Sequence, residues 1–426
     1  MSEFLKKKKV SICECPAYKS AIYTHKFNEH YGNAYNKTNI DILILLEFKE
    51  TPVKLNIFLK LCERVFSKYT YIVLPALGCT PENFSSQDTI NTYIKCKNLH
   101  IKKYIQQYSP KTIITTGRAI YTITESKELK AEHFFIPVKN QQEYDFDDCN
   151  LFTPEFNCKV FPIPALYQWI SDLDVKDVYE YKFIIQQFKQ VIKQISITNR
   201  RLSTPSLIYE ENPNLFIENL IKNPPKVIAI DTESSGLNYF TDELYSIQFS
   251  TSRNTAHFCF FDKCNIDLLN KLFSISSITF VFHNAQHDLR FLKQNKVYNA
   301  KCTFDTMLAA HILNENSPNG LKPLTWVYTP YGGYEKEVKQ YVSQNNIKNF
   351  KKIPIKLLLK YSCYDAIITF QLYEYFKKRF ELEDPDIKYN FYNYVMPAVE
   401  MIHNVEMTGV QLDFTCLQNY VVSLEH

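Results

Sequence analysis

Asp231 and Glu233 are separated by one residue in the run Val227-Ile-Ala-Ile-Asp-Thr-Glu233. Residues two apart in a strand project from the same face, and the carboxyl ends of strands are where α/β sites gather. Two carboxylates so placed can share a divalent cation. D-x-E pairs also arise by chance, because about one residue in ten here is acidic, and the pair alone decides little. Asp288 closes His283-Asn284-Ala285-Gln286-His287-Asp288, after the apolar run Ile278 to Phe282 and before a helix expected over Leu289 to Gln294. An acid in a first helical turn is commonly a cap or dipole partner. Tyr361 and Asp365 lie four apart in a segment of helical period, so they share a face; a solvated Asp beside a core Tyr would read the same way. Together the four acids and the Tyr outline a site for hard cations such as Mg²⁺ or Mn²⁺. Two such ions about 4 Å apart activate water and stabilise the leaving oxygen in phosphodiester hydrolysis.

The elements that must position these residues follow from apolar periodicity. Strands are expected over Val227 to Ile230, Leu244 to Phe249, Ala256 to Phe261 and Ile278 to Phe282, a helix over Leu215 to Ile221, and the longest helix over Lys356 to Arg379. Upstream, strand runs at Ile40 to Leu46, Tyr71 to Leu74, Thr112 to Thr116 and Lys159 to Ile163 alternate with helical patterns at Val53 to Phe66, Ile90 to Gln107 and Tyr179 to Ile195. That alternation predicts an α/β domain with a largely parallel sheet. The aperiodic stretch around Arg200 and Arg201 divides the chain into a first domain over 1–195, a linker over 196–204, a second domain over 205–384 and a further segment over 385–426.

Asp231-Thr-Glu233, Asn284-x-x-x-Asp288 and Tyr361-x-x-x-Asp365 resemble the three motifs of the DEDDy 3′-to-5′ exonucleases, most of all the proofreading domain of family A DNA polymerases. Phe304 to Leu313 resembles that family's F-D-T-M-L segment, and Met396 to Asp413 resembles the start of its polymerase module. The resemblance implies a ribonuclease H-like (DnaQ-like) exonuclease domain with a mixed sheet flanked by helices. It implies that Asp231, Glu233 and Asp365 bind one Mg²⁺ or Mn²⁺, that Asp231 bridges to a second, and that Asp288 holds the second partly through water. Tyr361, aided by Glu233, would orient the attacking water. Leu237 stands where the family places an apolar wedge against the terminal base, and Asn284 where a side chain contacts the 3′ strand; a core Leu and a helix cap are the ordinary readings. The implied partners are a DNA primer 3′ end or single-stranded DNA, and a C-terminal polymerase module. The implied location is the cytoplasm, that of a bacterial host if the gene is a phage's.

His283 and His287, four apart, suggest zinc, but the pair lacks the Glu of HExxH and a nearby third ligand. Lys348, Lys351, Lys352, Lys356 and Lys360 form a basic stretch that either tracks phosphates or is a solvated face.

The first domain resembles the uracil-DNA glycosylase superfamily, nearest its iron–sulfur branch. Cys13 and Cys15 precede its strands, and Cys79 and Cys96 follow 17 residues apart. A [4Fe-4S] cluster needs four thiolates; here the first pair is C-x-C where the branch has C-x-x-C, and four ordinary cysteines is the alternative. Leu46-Glu47 stands where that superfamily has Gly-Glu, without the Ala-Pro-Gly that follows, and Ile163-Pro-Ala-Leu166 stands where His-Pro-Ser is expected. The domain is therefore expected to be structural or DNA-holding, with no base excision.

Composition narrows the classes further. Hydrophobic residues make up 45% and charged residues 22% of 426, the balance of a chain with ordinary cores. Net charge is only +4, so nucleic-acid contacts must be local patches. Eight glycines form no phosphate-cradling motif. The 12 cysteines lack the density of a secreted scaffold, and no apolar run approaches the ~18 residues of a membrane span. The last residues, Leu424-Glu425-His426, look like a vector remnant, and the chain is expected to be a piece of a longer polymerase. A ribonuclease D-like exoribonuclease would use the same carboxylates but lack the Met396 to Asp413 segment. A non-catalytic scaffold for primer ends would lack one of the acids.

Overall fold

The computed structural model describes residues 21–24, 31–34, 37–47, 52–77, 79–81, 86–126, 129, 151–153, 155–156, 158–163, 165–166, 188–189, 191–192, 204–347 and 349–424. Cys13, Cys15, Lys348, the side chain of Cys79, most of the helix expected over Tyr179 to Ile195, and the linker up to Ser203 lie outside them. Two compact units form, one of Met1–Ser203 with Lys322–Tyr334, the other of Thr204–Leu321 with Glu335–His426.

In the first unit, strands β1 (Ala21–Thr24) and β5 (Cys79–Pro81) form a small antiparallel pair. The main sheet holds β2 (Tyr31–Gly32), β3 (Ile42–Leu46), β4 (Tyr71–Pro75), β6 (Thr112–Thr116), β7 (Leu151–Thr153) and β8 (Cys158–Ile163) in the order β2-β4-β3-β6-β8-β7. Its four central strands run parallel, as the continuous apolar runs predict. Alternation along those strands makes two cores. Leu43, Leu45, Ile72, Leu74 and Ile113 face Tyr93, Ile101 and Ile105 on one side. Ile42, Ile44, Val73 and Ile114 face Phe58 and Cys62 of helix α1 (Pro52–Val65), and Phe66 just after it, on the other. Trp326 and Val327, from the separate segment Lys322–Tyr334, complete the first of these cores.

The second unit is a mixed six-stranded sheet flanked by helices. Its strands are β9 (Ser206–Tyr209), β10 (Val227–Ser234), β11 (Leu244–Ser252), β12 (Thr255–Phe260), β13 (Thr279–Phe282) and β14 (Phe304–Asp305). The spatial order is β14-β13-β10-β11-β12-β9, with β10, β11 and β12 an antiparallel meander and β13 and β14 added parallel to β10. Helix α2 (Ala285–Gln294) follows β13, α3 (Thr306–Leu313) follows β14, and the 28-residue α4 (Ile355–Leu382) packs across β10, β11 and β12. Beyond it, α5 (Met396–Thr408) packs on α2. Among the described residues no helix is long and apolar enough to cross a membrane.

Candidate active site

Strand β10 does not stop at Ile230 but runs through the acids to Ser234, pairing Asp231 with Gln248 and Glu233 with Ser246 of β11. Both carboxylates therefore share one face, and α4 lies over the same strands. Two ties fix that helix: Gln371 Nε2 donates to the Arg253 carbonyl at 2.7 Å, and Arg253 pairs with Glu374 at 3.2 Å. Asp365, 4% exposed, thereby meets the pair, and one ligand oxygen from each of Asp231, Glu233 and Asp365 lies within 4.8 Å of the others. Three anions that close repel, by about 1 to 4 kcal/mol per pair depending on local dielectric. A divalent cation with oxygen ligands at roughly 2.0 to 2.6 Å fits between oxygens of this separation and removes the repulsion. The donor set suits Mg²⁺ or Mn²⁺.

Asp288 is not one of the cluster's three members. It is buried on α2, and its Oδ1 accepts a 2.6 Å hydrogen bond from Thr232 Oγ1. Thr232 is the residue between the two β10 acids, so the bond ties Asp288 to the strand that carries them. Burial pushes the Asp288 carboxyl up to about 7, while the Thr232 hydroxyl pulls it down and nearby Asp305 adds to the rise.

Asp305 shapes this corner. It is 2% exposed and accepts from Asn284 N at 3.2 Å and Ala285 N at 2.7 Å. It also accepts from Met307 N at 2.8 Å and Leu308 N at 3.3 Å, so one carboxylate caps both α2 and α3. Asn284 occupies the N-cap position of α2 with φ 64° and ψ 55°, without a side-chain cap bond. Its side chain is exposed. Thr306 Oγ1 donates to the Phe282 carbonyl at 3.1 Å and lies 2.9 Å from His283 Nδ1. His287 packs near the Phe291 ring at 5.1 Å. Neither His joins a ligand cluster among the described residues.

Tyr361 sits half-buried one turn before Asp365, its ring 6.2 Å from that of Phe350. Leu237 is 86% exposed in the loop after β10, so it is not a core Leu. Within the basic stretch, Lys351 pairs with Glu243 and Lys360 with Glu337 at 2.7 Å, while Lys352 and Lys356 are exposed.

In the first unit Cys96 is buried in the apolar core with Ile90, Tyr93 and Ile120, and among the described residues it belongs to no cluster of metal-ligating side chains. Glu47 is 1% exposed at the end of β3. Its carboxylate lies 3.4 Å from Arg118 Nε, its N–H donates to Thr116 Oγ1 at 2.9 Å, and its carbonyl accepts from the Tyr93 hydroxyl at 3.0 Å. Gly117 is required there, because a Cβ would collide with the Glu47 carboxylate. Burial pushes Glu47 up to about 7 against the opposing pull of Arg118.

The meander of the second unit thus carries two of the clustered acids and the helix crossing it the third. Residues 209–381 match the family described as 3′-5′ exonuclease, and the chain is thus an enzyme carrying a 3′-5′ exonuclease domain. It is 27% identical over 291 residues to DNA polymerase I of Borreliella burgdorferi, covering 62% of this chain and 31% of that one. It is 28% identical over 164 residues to the DNA polymerase of Bacillus phage SP01, covering 38% of this chain and 18% of that one. The chain thus spans a third or less of the length of these relatives. Among solved structures it is similar to Brucella melitensis NrnC with bound Mg²⁺, at 19% identity and a TM-score of 0.36, over 49% of this chain and 95% of that one. A likeness at that level bears on neither mechanism nor substrate.

Proposed function

We propose that the second unit removes nucleotides from DNA 3′ ends with two Mg²⁺ or Mn²⁺ ions, as the proofreading part of a family A DNA polymerase. The observation that carries this reading is the convergence of Asp231, Glu233 and Asp365 within 4.8 Å where β10 meets α4. Asp231, Glu233 and Asp365 would hold one ion, and Asp231 with Asp288 the other. Bound there, the ions supply an activated water and charge stabilisation for the leaving oxygen. Tyr361, one turn before Asp365, orients the water through its hydroxyl, and Glu233 accepts a hydrogen bond from the same water. The exposed Leu237 wedges against the terminal base, exposed Asn284 contacts the strand, and Lys352 and Lys356 meet its phosphates.

The first unit fits a glycosylase-like module without base-excision activity. Two features support this: Ile163 stands where the resemblance places a His, and Glu47 is enclosed by Arg118, Thr116 and Tyr93. The exposed apolar side chains Met401, Val405, Val410 and Phe414 support a covering partner for the C-terminal segment, which the resemblance identifies as a polymerase module.

The reading is tested by following a 5′-labelled DNA primer, matched or mismatched at its 3′ end, and an RNA of the same sequence, with Mg²⁺. Stepwise shortening of DNA, faster at the mismatch, is expected. Shortening of RNA alone would transfer the site to exoribonuclease chemistry, and shortening of neither would refute the reading.

A further inference from the structure

The carboxylates explain cleavage but not how a frayed strand is held while it is cut. We propose that Phe240, backed by Tyr239, is a stacking platform for an unpaired base of the 3′-terminal strand, an inference that rests on the exonuclease reading above. Phe240 is 66% exposed, and its ring centroid lies 4.2 Å from that of Tyr239 at 36°. The Tyr239 ring in turn lies 5.9 Å from the guanidinium of Arg290, two residues beyond Asp288 on α2. The three groups form a short column whose end, Phe240, opens to solvent, between the strand carrying Asp231 and Glu233 and the helix carrying Asp288.

The loop presenting Phe240 is braced. Asp242 accepts from Asn238 N at 2.8 Å and from Ser235 Oγ at 3.4 Å, and Asn238 Oδ1 accepts from Phe240 N at 3.1 Å. The Asn238 carbonyl accepts from Thr241 N at 3.0 Å and Asp242 N at 2.7 Å, and Ser235 Oγ accepts from Glu243 N at 3.0 Å. Gly236 is part of the brace, since a Cβ there would collide with the Asp242 carboxylate. A single exposed ring needs no explanation. An exposed ring backed by a half-buried one on a cross-braced loop is different, because its rings are already ordered and a base would stack without further loss of loop entropy. Arg290 is itself paired with Glu406, so the recognition rests on a flat base stacking on the exposed ring.

The test measures binding of a 5′-fluorescein oligodeoxythymidylate to the full chain in EDTA by anisotropy, with one abasic residue walked back from the 3′ end. For the wild type, one abasic position should weaken binding at least about fivefold, the low end for loss of a stacked base. Phe240→Ala should weaken binding of the intact strand by the same factor and no longer sense that position, and Phe240→Trp should restore both. Wild-type affinity in Phe240→Ala, or continued sensing of the same position, would overturn the platform; a protein partner on this surface predicts that result. If the wild type shortens DNA while Phe240→Ala binds like it, only this inference fails; if the wild type neither binds nor shortens single strands, the exonuclease reading fails with it.

Discussion

Thr232 Oγ1 donates a 2.6 Å hydrogen bond to Asp288 Oδ1, joining the acid on α2 to the residue between the two acids of β10. The bond favours the charged form of a carboxyl that burial otherwise pushes up to about 7. Only the charged form ligates a cation, so activity should rise with pH through about 7. Thr232→Val removes the hydroxyl at nearly constant volume and should move that rising limb to higher pH. The rate of 3′-end shortening from acid to alkaline pH checks this; an unmoved limb would detach Asp288 from catalysis.

The same carboxyl links metal binding to stability. Its folded pKa of about 7 lies above the ordinary 3.8, so the stability it contributes is complete below about 4 and is lost as pH rises through about 7. A bound cation removes that burden. The increase in melting temperature on adding Mg²⁺ should therefore be larger at pH 8 than at pH 6, by differential scanning fluorimetry; equal increases would contradict the assignment.

Asp305→Ala would strand four backbone donors at the starts of α2 and α3. A lost cap costs about 1 kcal/mol and unsatisfied buried donors more, so a loss of about 2 to 3 kcal/mol is expected in urea unfolding. Burial holds the Asp305 carboxyl above its usual range, which keeps the figure from being larger. A change under half a kcal/mol would show that water replaces the carboxylate.

In the first unit, Glu47→Gln should stabilise the protein most at pH 8, less at pH 6 and little below about pH 4.5. Glu47 is raised to about 7 by burial, so its charged form is the unfavourable one at high pH, and the neutral amide avoids that cost. Arg118 is 40% exposed at its side chain and can turn to water. Melting temperatures at pH 6 and pH 8 decide it; destabilisation at pH 8 would mean that the ion pair outweighs the burial.

Much of this arrangement is legible in the residues. Continuous apolar runs such as Ile42 to Leu46 mark strands covered on both faces, and the i, i+4 spacing of Tyr361 and Asp365 survives intact on α4. What escapes is non-local. Asp, Thr and Glu are not a strand-like run, so β10 was expected to end at Ile230; its extension comes from pairing with β11, which no local propensity encodes. Asp305 reads as part of a motif, yet its work lies 20 residues back, at Asn284 and Ala285. Trp326 looks like part of the exonuclease stretch because nothing in its neighbours names the core it fills.

The central claim is that Asp231, Glu233 and Asp365 act together on one bound ion. The most direct measurement is the single-turnover rate of 3′-nucleotide release in Mn²⁺ by the wild-type chain, Asp231→Ala, Asp365→Ala and the double variant, each shown to be folded. Residues that act as a unit are strongly non-additive, so each single variant should lose at least about a thousandfold and the double little more. Independent, multiplying losses, or a single variant within about tenfold of the wild type, would contradict a shared ion at this site.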